Sequence, residues 1–366
     1  MAIVINGSTG ITDVDGGEVL STADYDTISG VLDKDNRIIN GDFGVWQRNT
    51  ISSAYGYVAA DRWINGGLGG TFTQSRQAFT IGDTIGQINP TYFLRQTASG
   101  HSLATHYAAT AQPIESVRSY AGQTITVLGW ARRSSGIGNM VVESAQHFGT
   151  GGSPSATVIS ISPTTVTLTT SWEPFAVVMN IPSITGKTLG TNSNDYLALN
   201  FWTSAGTDYI ARAPGLGLQT IGVDLWGIHI KYGIHTVDEV NLYRPRDATT
   251  ELALCQRYYQ IISLVRQNGI TYTANGDTRS RFGFIQATRT ASPVLTVQGS
   301  ANVIASGSAG DTINIGLGTI SLSAAGRTGG AIYAISNFAA FTACGPVFNW
   351  GDNGGGALTV IVDAEI

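Results

Sequence analysis

Tyr196-Leu-Ala-Leu-Asn-Phe-Trp202 decides the fold class of this chain, because its large apolar residues recur at every second position. Leu197, Leu199 and Phe201 fall on one face of an extended strand, and Ala198, Asn200 and Trp202 fall on the other. Alternation of this length marks a half-buried antiparallel strand. The same period recurs in Thr124-Ile-Thr-Val-Leu128, Thr157-Val-Ile-Ser-Ile161, Thr165-Val-Thr-Leu-Thr169 and Val223-Asp-Leu-Trp-Gly-Ile-His-Ile230, with Gly, Pro, Asn and Ser between the runs. Many such strands at close spacing predict a sandwich or jelly roll.

Outward from this block the pattern changes. Residues 1–36 read as an N-terminal extended arm, turned at Asn6-Gly7 and Asp13-Val-Asp-Gly-Gly17, with a short helix capped by Ser21. Its apolar content is too small to bury a core, so Ile3, Ile5 and Ile11 are the residues expected to pack on a partner or a larger assembly. Beyond 247, Leu252, Cys255 and Tyr259 fall at helical spacing and predict a short connecting helix. The remainder of 248–366 returns to a β pattern, with a hairpin expected at Asn275-Gly276. The fold class is therefore all-β: arm, jelly-roll β-sandwich over 37–247, short helix and C-terminal β-sandwich domain.

Composition agrees. Of 366 residues, 42% are hydrophobic, enough for packed cores, while only 12% are charged, about half the usual share. The net charge of −5 and the lack of a basic run disfavour nucleic-acid binding. The pairs Arg132-Arg133 and Arg244-Pro-Arg246 read as solvated loops. No apolar run approaches the roughly 20 residues that cross a bilayer, and Met1-Ala-Ile-Val-Ile5 lacks the basic segment of a secretory signal. The two cysteines, Cys255 and Cys344, lack metal-ligand spacing and are expected as buried free thiols.

Several segments, in order, carry a resemblance. They are Asn36-Arg-Ile-Ile-Asn-Gly-Asp-Phe-Gly-Val-Trp-Gln-Arg48, Ala60-Asp-Arg-Trp63, the run from Gln112 to Arg132, Thr169-Thr-Ser-Trp-Glu-Pro-Phe175, Ile181-Pro-Ser-Ile-Thr-Gly-Lys-Thr-Leu-Gly190, Trp226-Gly-Ile-His-Ile-Lys-Tyr-Gly233 and Glu251-Leu-Ala-Leu-Cys-Gln-Arg-Tyr-Tyr259. Together they resemble phage tail-fibre and tail-appendage proteins with a jelly-roll module like a carbohydrate-binding domain. The resemblance implies a virion protein assembled in the host cytoplasm, docked by its arm to other virion proteins, adhering to host-surface glycans, and homotrimeric. It also places Asp42 where some such modules hold calcium. Asp42 is more simply a turn residue, and no metal or cofactor is assigned.

Exposed aromatic rings stack on sugar C–H faces, so the site candidates are aromatic. If the Leu197 face of its strand is core, Trp202 points outward beside Asn200. Trp350, among Asn349, Asp352 and Asn353, is a second candidate in a distal loop. Trp46, Trp63 and Trp226 read as structural, the last sharing a face with Ile228 and Ile230. Catalysis is disfavoured: no nucleophile motif is present, and Glu115, Glu143, Glu173, Asp224 and Asp277 give no evident pair for glycoside hydrolysis. His101 and His106, five apart, do not make a paired ligand set. A purely structural decoration protein, a polysaccharide depolymerase and a secreted lectin-like protein stay open as alternatives.

Overall fold

The computed structural model describes residues 36–264 continuously. It also describes 3–6, 10–13, 18–20, 267–269, 277–283, 286–289, 293–298, 302–306, 312–316, 319–324, 329–335, 347–351 and 358–365. The chain divides after Ala248 into two units. The helix expected from Ser21 and the thiol of Cys344 lie outside the described residues.

In the first unit, β1 (Ile3–Asn6), β2 (Gly10–Asp13) and β3 (Glu18–Leu20) form a small antiparallel sheet. Ile5 pairs with Ile11, and Ile3 with Asp13. The arm residues Ile3, Ile5 and Ile11 thus stand in paired strands on either side of the turn expected at Asn6-Gly7.

The remaining strands of this unit form two antiparallel sheets. They are β4 (Ile51–Ser52), β5 (Ile64–Leu68), β6 (Thr71–Ala78), β7 (Tyr92–Ser99), β8 (Tyr107–Glu115), β9 (Thr124–Gly136), β10 (Asn139–His147), β11 (Val158–Thr167), β12 (Glu173–Asn180), β13 (Tyr196–Ala205) and β14 (Ile221–Tyr232). One sheet has the order β11-β10-β13-β8-β5 and the other β12-β9-β14-β7-β6-β4. From β8 onward the chain passes repeatedly between them, as a jelly-roll sandwich does. Between the sheets lie Met140, Val142, Leu197, Leu199 and Phe201 from the first, facing Ile125, Val127, Leu94, Val223, Leu225 and Ile230 from the second. Trp63 packs on both Phe43 and Phe201, with ring centroids 5.0 and 5.8 Å away.

The 36–63 segment locks onto this core by hydrogen bonds. Asn40, at φ +58°, donates from Nδ2 to the Val45 and Asp61 carbonyls (2.8 and 3.0 Å) and accepts from the Val45 N–H (2.9 Å). Trp63 Nε1 donates to the Asn40 carbonyl at 2.9 Å, and Trp46 Nε1 to that of Phe43 at 2.6 Å. Asp42 accepts from the Gly44 N–H at 3.3 Å. Arg246 closes the unit by donating to the Asn36 and Ile38 carbonyls at 2.6 and 2.8 Å. The basic pairs are therefore not simply solvated: Arg246 is a clamp, and Arg132 joins Arg95 on the buried Asp224 carboxylate.

Trp226 is buried, but on the face opposite Ile228 and Ile230. Strict alternation fails because the register of β14 slips between Trp226 and His229, and Gly227 adopts φ +66°. This β-bulge rotates the strand by one position. Trp226 then packs outside the sandwich core with Phe93, Trp130 and Val240.

At the start of the second unit, the expected short helix is α1 (Ala248–Gln256), but its buried residues are Glu251 and Cys255, while Leu252 is exposed and Tyr259 opens the following strand. Cys255 is buried, as expected. The strands are β15 (Tyr259–Leu264), β16 (Gln267–Gly269), β17 (Asp277–Gly283), β18 (Val294–Gln298), β19 (Asn302–Ser306), β20 (Thr312–Gly316), β21 (Thr319–Ala324), β22 (Gly329–Ile335), β23 (Val347–Gly351) and β24 (Leu358–Asp363). They form antiparallel sheets ordered β15-β24-β18, β16-β23-β19-β20 and β17-β22-β21. The hairpin expected at Asn275-Gly276 has its turn outside the described residues. Of its strands, β17 pairs with β22, Arg279 opposite Tyr333, and residues 270–276 lie outside the described residues.

Candidate functional site

The five-stranded sheet presents its second face, away from the core, as a groove. Register sets the rows across it. Val141, Trp202, Ala109 and Gly66 stand side by side, as do Glu143, Asn200, Ala111 and Ile64, then Ala145, Ala198 and Pro113. Gly66, Ala109, Ala111, Pro113 and Ala198 make a floor of short side chains. Aromatic and polar residues rise around it: Tyr55, Tyr107, Tyr209 and Trp202, with Tyr196 and His147 at one end and Arg212 over the sheet. A floor without bulk between tall walls is what makes the surface concave. The enclosed space is about 180 Å³, less than the roughly 300–1,000 Å³ of pockets that engulf a small molecule. A ligand here is gripped by one portion while the rest runs along the open sheet.

The rings form a connected set. Tyr107 lies 5.5 Å from Trp202 and 4.8 Å from Tyr209, and Trp202 lies 5.4 Å from Tyr209. Tyr196 stacks on His147 at 4.3 Å. Burial, with Tyr55 and Tyr209 nearby, pushes the Tyr107 hydroxyl up to about 12, and burial also raises Tyr196 and Tyr209. These hydroxyls stay protonated and offer donors at neutral pH. Burial, helped by the Arg212 charge, lowers His147 to about 4, so its ring is neutral.

Beneath the wall sits a buried carboxylate. Glu143 accepts from Asn200 Nδ2 at 2.7 Å and from Arg212 Nε, and also from the Ser160 backbone N–H. Burial raises its pKa, against the opposing pull of the Arg212 hydrogen bond. The Arg212 guanidinium lies 4.8 Å over the Trp202 ring, in cation–π contact. Its place is set by the turn that follows β13, where Thr207–Tyr209 forms one 3-10 turn and the Ala213 N–H bonds the Tyr209 carbonyl at 2.9 Å.

Of the sequence candidates, Asn200 and Trp202 do stand together on the face opposite Leu197, Leu199 and Phe201. Neither is open as expected. Trp202 is 2% exposed, because Tyr107, Tyr209 and Arg212 cover it, and Asn200 is 8% exposed. Trp350 lies within β23, opposite Val303 and Gln267, rather than in a loop. Tyr107, Tyr209 and Arg212 escaped sequence reasoning. Tyr107 shares the parity of Ala109 and Ala111 on β8, the one signal that would have placed it. Nothing in the sequence brings the turn after β13 across Trp202. Of the weighed carboxylates, Glu143 is the one that bonds groove residues, Asn200 and Arg212, among the described residues. Asp224 is held outside the sandwich core by Arg95 and Arg132. Among the described residues no cluster of His, Cys, Asp and Glu is placed to hold a metal.

No family model matches the chain, and no curated protein matches it. Solved structures do. One is the enzymatically active domain of bacteriophage CBA120 tailspike protein 4, at 10% identity and a TM-score of 0.31 over 54% of this chain, which spans 21% of that one. A second is the N-terminal cellulose-binding domain of Cellulomonas fimi β-1,4-glucanase C, at 13% identity and TM-score 0.29, covering 47% of this chain and 90% of that one. A third is a xylan-binding domain from Paenibacillus barcinonensis, at 12% identity and TM-score 0.27, covering 46% and 85%. Likeness at this level is remote. The chain's own antiparallel sandwich defines it as all-β.

Proposed function

We propose that this protein binds glycans in the groove of the five-stranded sheet, as a tail appendage of a phage virion that adheres to host-surface polysaccharide. The observation that carries the reading is the ring set of Tyr55, Tyr107, Tyr196 and Tyr209 around a floor of Gly and Ala. Flat amphipathic rings beside a shallow, open-ended channel suit a chain of sugar units, whose C–H faces stack and whose hydroxyls hydrogen-bond. Binding rather than turnover is the role, because Glu143 has its oxygens engaged by Asn200 and Arg212. The ordered motifs from Asn36 to Tyr259 support the virion setting, with docking through the arm that carries Ile3, Ile5 and Ile11, and a homotrimer. Several weak grooves on one particle would then act through avidity.

Affinity electrophoresis through extracted bacterial surface polysaccharides tests the binding role. Tyr55 is 65% exposed, so Tyr55→Ala keeps the melting temperature and loses mobility shift. Equal retardation of this variant and the parent removes the groove from the reading. Absence of retardation in every polysaccharide removes glycan binding.

A further inference from the structure

Resting on that reading, we infer that the groove selects saccharides that carry a carboxylate, recognised by Arg212. Among the described residues that line the groove, Arg212 is the one with a permanent charge. Its Nε edge is spent on Glu143. Its Nη1 and Nη2 atoms have no hydrogen-bond partner among the described residues, and the side chain is 22% exposed. A guanidinium held by Nε keeps its end-on edge free, and that edge offers two parallel donors to one planar carboxylate.

The rest of the groove adds hydroxyl donors beside that edge. Glu143 has both oxygens occupied, by Asn200 and Arg212. Tyr107 and Tyr209 flank Arg212's partner ring Trp202 and carry protonated hydroxyls. A cationic fork beside protonated hydroxyls matches a planar anionic acceptor, as a uronate supplies. Glu143 is a positioning residue here: it holds the guanidinium at Nε, and Asn200 in turn holds Glu143. A neutral sugar would leave the Nη edge to water, whereas a uronate would replace that water with a charge-assisted pair.

The test uses the full chain and a panel of alginate, polygalacturonate and hyaluronan. Each is compared with its own carboxyl-reduced form, beside neutral xylan. The expected result is retention by at least one acidic polymer, weakened by added salt, and falling roughly tenfold or more on carboxyl reduction. Arg212→Gln shows the same loss. Arg212→Lys, which keeps charge but not the planar fork, is also weakened. The carboxyl-reduction arm needs no variant, so a poorly folding substitution leaves the outcome readable. Equal binding of acidic and reduced polymers, or of xylan alone, overturns the carboxylate inference and leaves the glycan reading standing. Retention of no polymer, acidic or neutral, overturns both.

Discussion

Trp202→Ala separates a buried wall residue from an exposed sugar platform. The indole is 2% exposed and packs among Val141, Ala205, Ala213, Tyr107 and Tyr209. Truncating a buried Trp to Ala costs about 3–5 kcal/mol through lost transfer energy and the cavity left behind. The lower end applies, because Trp202 Nε1 has no hydrogen-bond partner among the described residues, so no bond is broken there. The lost Arg212 cation–π contact adds back roughly 0.5–1 kcal/mol. A net loss of about 3.5–4 kcal/mol lowers the melting temperature of a unit this size by roughly 7–16 °C. Trp202→Phe is the control. It keeps a ring in the cavity and removes a buried donor whose isolation costs about 1–3 kcal/mol, so it stays within about 1.5 kcal/mol of the parent. Denaturant unfolding followed by far-UV circular dichroism measures both. A Trp202→Ala protein as stable as the parent, with glycan binding abolished, refutes the burial argument and restores Trp202 as an open platform.

Other changes have defined outcomes. Asn40→Ala leaves the Val45 and Asp61 backbone groups without their side-chain partner and costs about 2 kcal/mol or more in chemical denaturation. Gly227→Ala forces a Cβ into the left-handed region at φ +66° beside Tyr243 and Trp130; the strain is about 1–2 kcal/mol and is read as a shifted denaturation midpoint. His147 and His229 are lowered by burial to about 4. Their ordinary value is 6.5, so the unfolded chain takes up the protons first as pH falls. Stability is full above pH 6.5 and declines toward pH 4, by at most about 1.4 kcal/mol per pH unit for each ring. Replacing both by Gln flattens that decline in thermal melts across the window.

The alternation in Tyr196–Trp202 was enough to assign the core face of β13 and to put Asn200 and Trp202 together on the other face. The period switch at 248 was enough to place α1. What alternation cannot carry is a slip in register. One bulge at Gly227 sends Trp226 to the opposite side from Ile228, and no two-residue period predicts it. Exposure of Trp202 failed for a different reason: the residues that cover it come from β8 and from the turn after β13. Those contacts depend on tertiary approach, not local pattern. The motifs around Asn40 and Trp63 were legible as structural, and their hydrogen bonds explain why. Their spacing holds a left-handed turn and a buried indole against the core, rather than a ligand.

Ala111→Phe puts glycan binding in the groove to the test. Ala111 lies on the groove floor between Asn200 and Ile64, outside the sandwich core. A phenyl ring there fills the space between the tyrosines without disturbing the packing of Phe201 or Trp63. Mobility of parent and variant is compared in gels containing a polysaccharide that retards the parent, with melting temperatures taken on the same samples. The account predicts an unretarded variant whose melting temperature matches the parent. A variant retarded as strongly as the parent contradicts it, and places any glycan site elsewhere on the molecule.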